Sequence, residues 1–281
     1  RDFLIPRQLV DHGLTPERLE FESEALDAII DDYTHEAGVR RLEQQVASIC
    51  RAVAVRLAAG EDVQLMAGPQ YVQEVLGPPR QTRQLPERKP RAGVSTALAW
   101  TPAGGEIHIL EASRMPGSGK ILLTGQVGDV MREAAATAFT YVRANADRFG
   151  LPEDFLSSLD VHIHLPAASV PRDGAAAGLP ILVAIASMLT RLRVRVDIAL
   201  SGELTLRGNV LKVGGIKEKC FAAHRAGIRH IVLPRRNEPE LEEVPREILS
   251  DLEVHFVSRA EEVLALALEE PERPAPQPAP L

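Results

Sequence analysis

Apolar residues recur along this chain with two different periods, and the change from one to the other divides it. Leu26, Ile29, Ile30 and Tyr33 fall at helical spacing behind Thr15-Pro16, which reads as a cap followed by proline at the first helical position. A second stripe, Leu42, Val46, Ile49 and Val53, runs to a stop at Gly60, and a short third helix holds Val72, Val75 and Leu76 before Gly77-Pro78-Pro79. Three or four helices with one apolar face each predict a small helical bundle.

Beyond a stretch of prolines and alternating charges from Arg80 to Arg91, the pattern shortens to period two. Val94 to Thr101, Ile107 to Glu111 and Ile121 to Thr124 read as strands, and Val127 to Ala144 has the periodicity of a helix. Val161, Ile163 and Leu165 alternate with His162 and His164, as in a half-buried strand. Leu179 to Leu192 is almost unbroken aliphatic sequence, too long for a typical strand and too short to span a membrane, so it predicts a buried helix. Gly208 to Gly227 gives a strand, a turn at Gly214-Gly215 and a helix closed by Gly227. A strand at Ile228 to Leu233, a polar loop at Pro234 to Glu240, a short strand at Val254 to Val257 and a helix from Ala260 to Leu268 follow. The expected fold is a helical bundle over residues 1–79, a linker at 80–92 and an α+β domain with mixed sheets at 93–268. The Pro/Ala-rich tail 269–281 has no face to bury and is expected to be disordered.

The run Pro171-Arg172-Asp173-Gly174-Ala175-Ala176-Ala177-Gly178 lies between a strand and the aliphatic helix. A strand, a glycine-bearing turn and a helix start aim free backbone N–H groups at whatever sits beside Ala175 to Ala177, which suits an oxyanion hole. Alanines cannot attack anything, so by itself the run reads as a close-packed turn. His162 and His164 share a strand face, but no carboxylate or cysteine at ligand spacing accompanies them, and no metal site is expected. Gly117-Ser118-Gly119-Lys120 is the nearest match to a phosphate loop. Arg114 stands where the first glycine is required and Ile121 replaces the hydroxyl residue, so it reads as a hairpin turn. Trp100 reads as a core residue.

A formal net charge of -7 argues against a nucleic-acid grip dominated by phosphate contacts. Cys50 and Cys220 lie far apart in different expected domains, which argues against a disulfide and for a reducing compartment. No signal peptide or membrane-length apolar run is present, so a soluble, cytoplasmic protein is expected.

Three motifs in order, Leu123-Thr124-Gly125-Gln126-Val127-Gly128-Asp129-Val130-Met131, Pro171 to Gly174 and Gly208 to Gly227, resemble the proteolytic domain of Lon, an ATP-dependent serine protease with a Ser–Lys dyad. The resemblance implies the following roles. The family pattern Pro-Lys-Asp-Gly-Pro-Ser-Ala-Gly places the serine nucleophile at Ala176, and Gly-Gly-x-Lys-Glu-Lys places the lysine at Lys219, leaving Lys217 solvated. Ser201 stands where the family has a threonine whose hydroxyl partners the lysine, and Asp173 matches the acidic residue beside the nucleophile, able to pair with the lysine. Lys212 departs from the family's proline. Tyr33-Thr34-His35-Glu36-Ala37-Gly38-Val39-Arg40-Arg41-Leu42-Glu43 resembles the α-helical subdomain of an AAA+ ATPase module, with Arg40 as a nucleotide sensor. ATP and Mg would be bound mainly by a module absent from this chain, and no cofactor is expected for this piece alone. A homo-oligomeric, hexameric ring acting on unfolded or damaged polypeptide is implied, without membrane or nucleic-acid partners.

A lysine serves as base toward a serine only if burial lowers its pKa, and without the hydroxyl the dyad cannot act, so the chain as written is expected to be inactive. Retention of Lys219, Ser201 and Asp173 favours an engineered replacement of the serine in an otherwise intact site. The rival is a naturally non-catalytic module that holds unfolded polypeptide. Ser187, deep in the apolar helix, and Ser169, ahead of the turn, are weaker candidates for a nucleophile.

Overall fold

A computed structural model describes residues 2–34, 36, 38–79, 89–102, 104–152, 154–166 and 173–269. Most of the expected linker and tail, Ser169, Pro171, Arg172, His35 and Ala37 lie outside these residues. The chain divides into two compact units, Arg1–Arg83 and Gln84–Leu281.

The first unit contains α1 (Leu4–Asp11), β1 (Leu19–Phe21), α2 (Ser23–Ala28), α3 (Arg40–Ala58), β2 (Leu65–Ala67) and α4 (Pro69–Leu76). Val46, Ile49, Cys50 and Val53 line one face of α3 and are buried with Leu19, Ile29 and Val72, as their spacing requires. The helix expected to open at Thr15-Pro16 does not form. Arg18 N–H bonds the Thr15 carbonyl at 2.9 Å in a turn, and Leu19 and Phe21, buried on either side of exposed Glu20, form a strand parallel to β2. Three residues are too few for period two to stand out in the sequence. Leu26 falls on α2, while Ile29 to Tyr33 form one π-helical turn, and the Tyr33 hydroxyl bonds the Gly77 carbonyl at 2.7 Å. The bundle is thus four helices with a parallel ribbon.

The second unit is built on a seven-stranded mixed sheet in the order β11-β10-β7-β3-β4-β6-β5. Its strands are β3 (Val94–Thr101), β4 (Gly104–Pro116), β5 (Ile121–Thr124), β6 (Leu159–His164), β7 (Ile198–Leu200), β10 (His230–Pro234) and β11 (Glu253–Val257). A two-stranded ribbon, β8 (Glu203–Leu204) with β9 (Val210–Leu211), stands beside it. Side-chain alternation separates two cores. Ala97, Ile198, Leu200 and Val232 join α5 (Asp129–Ala144), α6 (Gly178–Thr190) and α9 (Ala260–Ala267) on one face; Leu98, Ala199, Ile231 and Leu233 join α7 (Ile216–Arg225) on the other, with α8 (Arg246–Ser250) near α7. The aliphatic run becomes α6, with Gly178 through Leu189 all buried, as a helix apolar on every side must be. Ser187 is no nucleophile: its hydroxyl accepts the Gly93 N–H at 2.9 Å and donates to the Leu192 carbonyl.

Three local expectations are corrected. Gly117 to Lys120 is not a hairpin turn, because β6 lies between β4 and β5. The turn instead wraps the Asp160 carboxylate, which accepts the N–H groups of Ser118 at 2.7 Å and Lys120 at 2.8 Å. Pro234 to Glu240 is not a loop: Arg235–Glu243 wind into 3-10 turns around Asn237, which is fully buried. Trp100 is not core but 55% exposed. It follows Leu98 on the face covered by α7, yet α7 starts at Ile216, so the indole lies over the helix end against Gly215.

Gly105 on β4 is where α7 comes closest to the sheet, since a Cβ there would lie 1.9 Å from the Glu218 carbonyl oxygen. Gly105→Ala is expected to destabilise the second unit by roughly 1–3 kcal/mol, the usual range for an overpacked contact. Gly214→Ala, whose Cβ would meet nothing within 4 Å, is expected to be near neutral. Urea unfolding followed by fluorescence of Trp100, the single tryptophan, measures both; equal midpoints would show that the α7 to β4 contact yields freely.

Candidate active site

The site forms where β7 ends and α6 begins. Gly202, just past β7, donates to the Ala176 carbonyl at 3.0 Å and accepts the Leu179 N–H at 3.1 Å, so one residue clasps both ends of the turn. A Cβ on Gly202 would stand 2.4 Å from Leu179 Cδ1, so the glycine lets that leucine pack directly against the turn. Ala175–Ala177 make a single 3-10 turn, in which Ala177 N–H reaches the Gly174 carbonyl at 3.4 Å and Gly178 N–H the Ala175 carbonyl. The N–H groups of Ala175 and Ala176 precede the first bond of that turn, the usual position for donors that helix geometry leaves over.

This turn lines an open cavity of about 540 Å³ together with Lys219, Asp173 and the end of β3 at Trp100 and Thr101. Lys219 enters from α7. Gly215, at φ 72°, takes the left-handed conformation that starts this helix, and four residues on the lysine side chain turns inward with 2% of its surface exposed. Its Nζ donates to the Gly214 carbonyl at 2.7 Å. Burial pulls the ammonium pKa down to about 8, against a smaller upward pull from the carboxylates of Glu240 and Glu218. Lys217, on the same helix, is exposed.

Other expected residues are placed as follows. Asp173 does not pair with Lys219. Its Oδ1 accepts the N–H of Met131 at 2.7 Å and of Gly174 at 3.0 Å, so its charge sits at the positive N-terminus of α5. Gly128 leaves room for that carboxyl, which a Cβ there would meet at 2.4 Å. Ser201 is fully buried beside Gly202, and its hydroxyl has no hydrogen-bond partner, the lysine amine being turned to Gly214. Lys212 faces the cavity from its rim. Arg40 lies in the first unit, exposed at the first residue of α3. The Thr124 hydroxyl, 2.8 Å from His162 Nε2 and 2.7 Å from His164 Nδ1, bridges the paired histidines.

Several residues had no reading from sequence. Glu106 and His108 project from β4 into the cavity, 3.1 Å apart, with Thr101 bonded to Glu106 at 3.2 Å. Their signal was the alternation Glu106-Ile107-His108-Ile109 inside an apolar strand. Asn237 had no such signal. It accepts the Val213 N–H at 3.0 Å and donates to the Val213 carbonyl at 2.7 Å and to Glu240 at 2.7 Å, holding the turn that presents Gly214 to the lysine.

Because burial opposes the charged amine, the folded chain holds fewer protons than the unfolded chain between pH about 8 and 10.5, and stability rises with pH across that window. Lys219→Met removes this contribution. The stability difference, parent minus variant, is expected to grow by on the order of 3 kcal/mol from pH 7 to pH 11. Urea unfolding at stepped pH measures it; a difference that stays flat would mean that the amine is solvated.

Residues 10–65 match the Lon protease AAA+ ATPase lid domain, and residues 67–270 match the Lon protease (S16) C-terminal proteolytic domain. The chain is 49% identical over 279 residues to Lon protease 2 of Sorangium cellulosum (strain So ce56), covering 99% of this chain and 35% of that protein. It is 49% identical over 273 residues to Lon protease of Anaeromyxobacter dehalogenans (strain 2CP-C), covering 96% of this chain and 32% of that protein. Lon protease of Dictyoglomus thermophilum (strain ATCC 35947 / DSM 3960 / H-6-12) is 46% identical over 278 residues, again 99% of this chain and 35% of the relative. The chain therefore spans about a third of the length of the curated relatives it matches. Lid and proteolytic domain matched in that order, the second over more than half the chain, make this chain a member of the Lon protease family.

Proposed function

We propose that the chain carries the lid and proteolytic domains of an ATP-dependent serine endopeptidase that degrades unfolded or damaged protein, with its nucleophile position occupied by Ala176. The observation that supports this most is that Ala176 and Lys219 line one cavity while burial lowers the lysine pKa to about 8. An amine so placed can take a proton near neutral pH, which an exposed lysine cannot.

With serine at position 176, its hydroxyl would attack the scissile carbonyl as Lys219 Nζ takes the proton, and the N–H groups of the 3-10 turn would hold the oxyanion. Collapse to an acyl-enzyme would return the proton to the leaving amine, and water would release the acyl group. In this reading the unpartnered Ser201 hydroxyl is the group that Nζ would meet on turning away from the Gly214 carbonyl, and Asp173 orders the turn through α5. With alanine at 176 none of these steps can begin, so the chain as written is read as inactive.

The turn nearest in sequence to a phosphate loop does not fit a nucleotide. In the Gly117 to Lys120 turn the N–H groups of Ser118 and Lys120 are committed to Asp160, whose carboxylate would repel phosphate, and those of Gly117 and Gly119 to the Ser158 and Leu159 carbonyls. No step is therefore routed through ATP or Mg here. We place their binding in the longer protein, with Arg40 as a sensor, assembly as a hexameric ring and location in the cytoplasm. Among the described residues no helix is long and apolar enough to cross a membrane.

Hydrolysis of a fluorogenic peptide and of an unfolded protein is compared for the parent chain, Ala176→Ser, and Ala176→Ser with Lys219→Ala, with native mass recorded on each. The parent is expected to be inert and Ala176→Ser active, its rate rising through pH about 8 as Lys219 loses its proton. The double variant is expected to fall by at least about a hundredfold, the low end for loss of a general base. Cleavage by the parent would overturn the assignment; an assembled but inert serine variant would favour a module that holds polypeptide without cutting it.

A further inference from the structure

His230, Glu253 and His255 converge at the edge of the sheet, at the opposite end of β7 from the cavity. His230 opens β10 and is the register partner of Glu253 on the edge strand β11. His255 lies two residues beyond Glu253 and so projects from the same face. His230 Nδ1 is 3.1 Å from His255 Nε2 and 3.3 Å from Glu253 Oε2, and His255 Nε2 is 3.5 Å from Glu253 Oε1. Each residue offers one ligand atom to the group.

These separations carry chemical information. Zinc bonds to imidazole nitrogen and carboxylate oxygen are about 2.0–2.1 Å, which places two ligand atoms of a tetrahedron about 3.3–3.4 Å apart. The His230 Nδ1 to His255 Nε2 and His230 Nδ1 to Glu253 Oε2 separations lie within about 0.3 Å of that tetrahedral edge, and His255 Nε2 faces the other oxygen of the same carboxylate at 3.5 Å. A second observation concerns the other nitrogen of His230. Nε2 is 3.3 Å from Asp197 Oδ2, and Asp197 is gripped by Arg195 through bonds of 3.0 and 2.9 Å. A proton held on Nε2 by a fixed carboxylate leaves the Nδ1 lone pair facing the cluster, the arrangement that orients metal-bound histidines. The histidine side chains are 13% and 19% exposed and Glu253 is 57% exposed, so a fourth position opens to water.

We propose that His230, Glu253 and His255 form a divalent transition-metal site for zinc, with Asp197 as its orienting partner, which fastens the edge strand β11 to β10. Imidazole and carboxylate donors suit zinc and the late first-row metals rather than magnesium or calcium. The site is independent of peptide cleavage, and its role is to stabilise the sheet edge.

Untagged full-length chain, freed of metal by a chelator, is titrated with Co²⁺ and then with Zn²⁺. One Co²⁺ per chain is expected, with the intense visible absorption of a four-coordinate site, displaced by Zn²⁺, and Zn²⁺ is expected to raise the unfolding temperature. His230→Ala and His255→Ala are expected to lose Co²⁺ affinity at least about a hundredfold, and Asp197→Asn to keep one site weakened about ten- to a hundredfold. Trp100 fluorescence under urea checks that each variant is folded. Absence of saturable binding would overturn the proposal and leave a histidine–histidine hydrogen bond. So would undiminished binding in folded His255→Ala, which would place the metal elsewhere.

Discussion

An amine held out of water is the constraint around which the protease-like unit is arranged. A buried ammonium is tolerated only where dipoles replace lost hydration. For Lys219 that dipole is the Gly214 carbonyl, presented by a segment whose Val213 is held by Asn237 through both its N–H and its carbonyl. Helix α7 must also lie close enough to β4 for the side chain to reach inward, which the absence of a side chain at Gly105 permits. Moving any of these elements would let water reach the amine and return its pKa toward the ordinary lysine value.

The facing half of the site is built from backbone. Helix α6 is apolar all round and can exist only inside the unit, so the 3-10 turn before it is carried to a fixed depth between the sheet and the β8–β9 ribbon. Gly202 ties that turn to the end of β7, and Asp173 ties it to the start of α5. The Ala176 side chain takes part in none of these bonds. The turn is therefore held in place by backbone bonds and one carboxylate, not by the side chain at position 176.

Periodicity in the sequence located α3, α6, α7 and the longer strands, because each buries a whole face and its apolar spacing repeats often enough to be read. It failed where segments were short or their environment came from elsewhere. Leu19 to Phe21 looked helical because a three-residue strand has no repeat to show. Trp100 looked like core because its strand is buried, and only the point at which α7 begins left the ring exposed. Asn237 lay in a polar stretch with nothing to distinguish a buried asparagine from a solvated one.

By itself the sequence determined the longer helices and strands, the two-part organisation, the aliphatic helix and the motifs bearing Ala176 and Lys219, since these depend on local spacing and residue identity. Only the tertiary structure decided that Lys219 is desolvated, that Asp173 serves α5 rather than the lysine, and that Ser201 is buried without a partner. It also decided that His230, Glu253 and His255 meet across two parallel strands. Hydration, pKa and ligand geometry are set by groups distant along the chain, and no local pattern encodes which of them become neighbours.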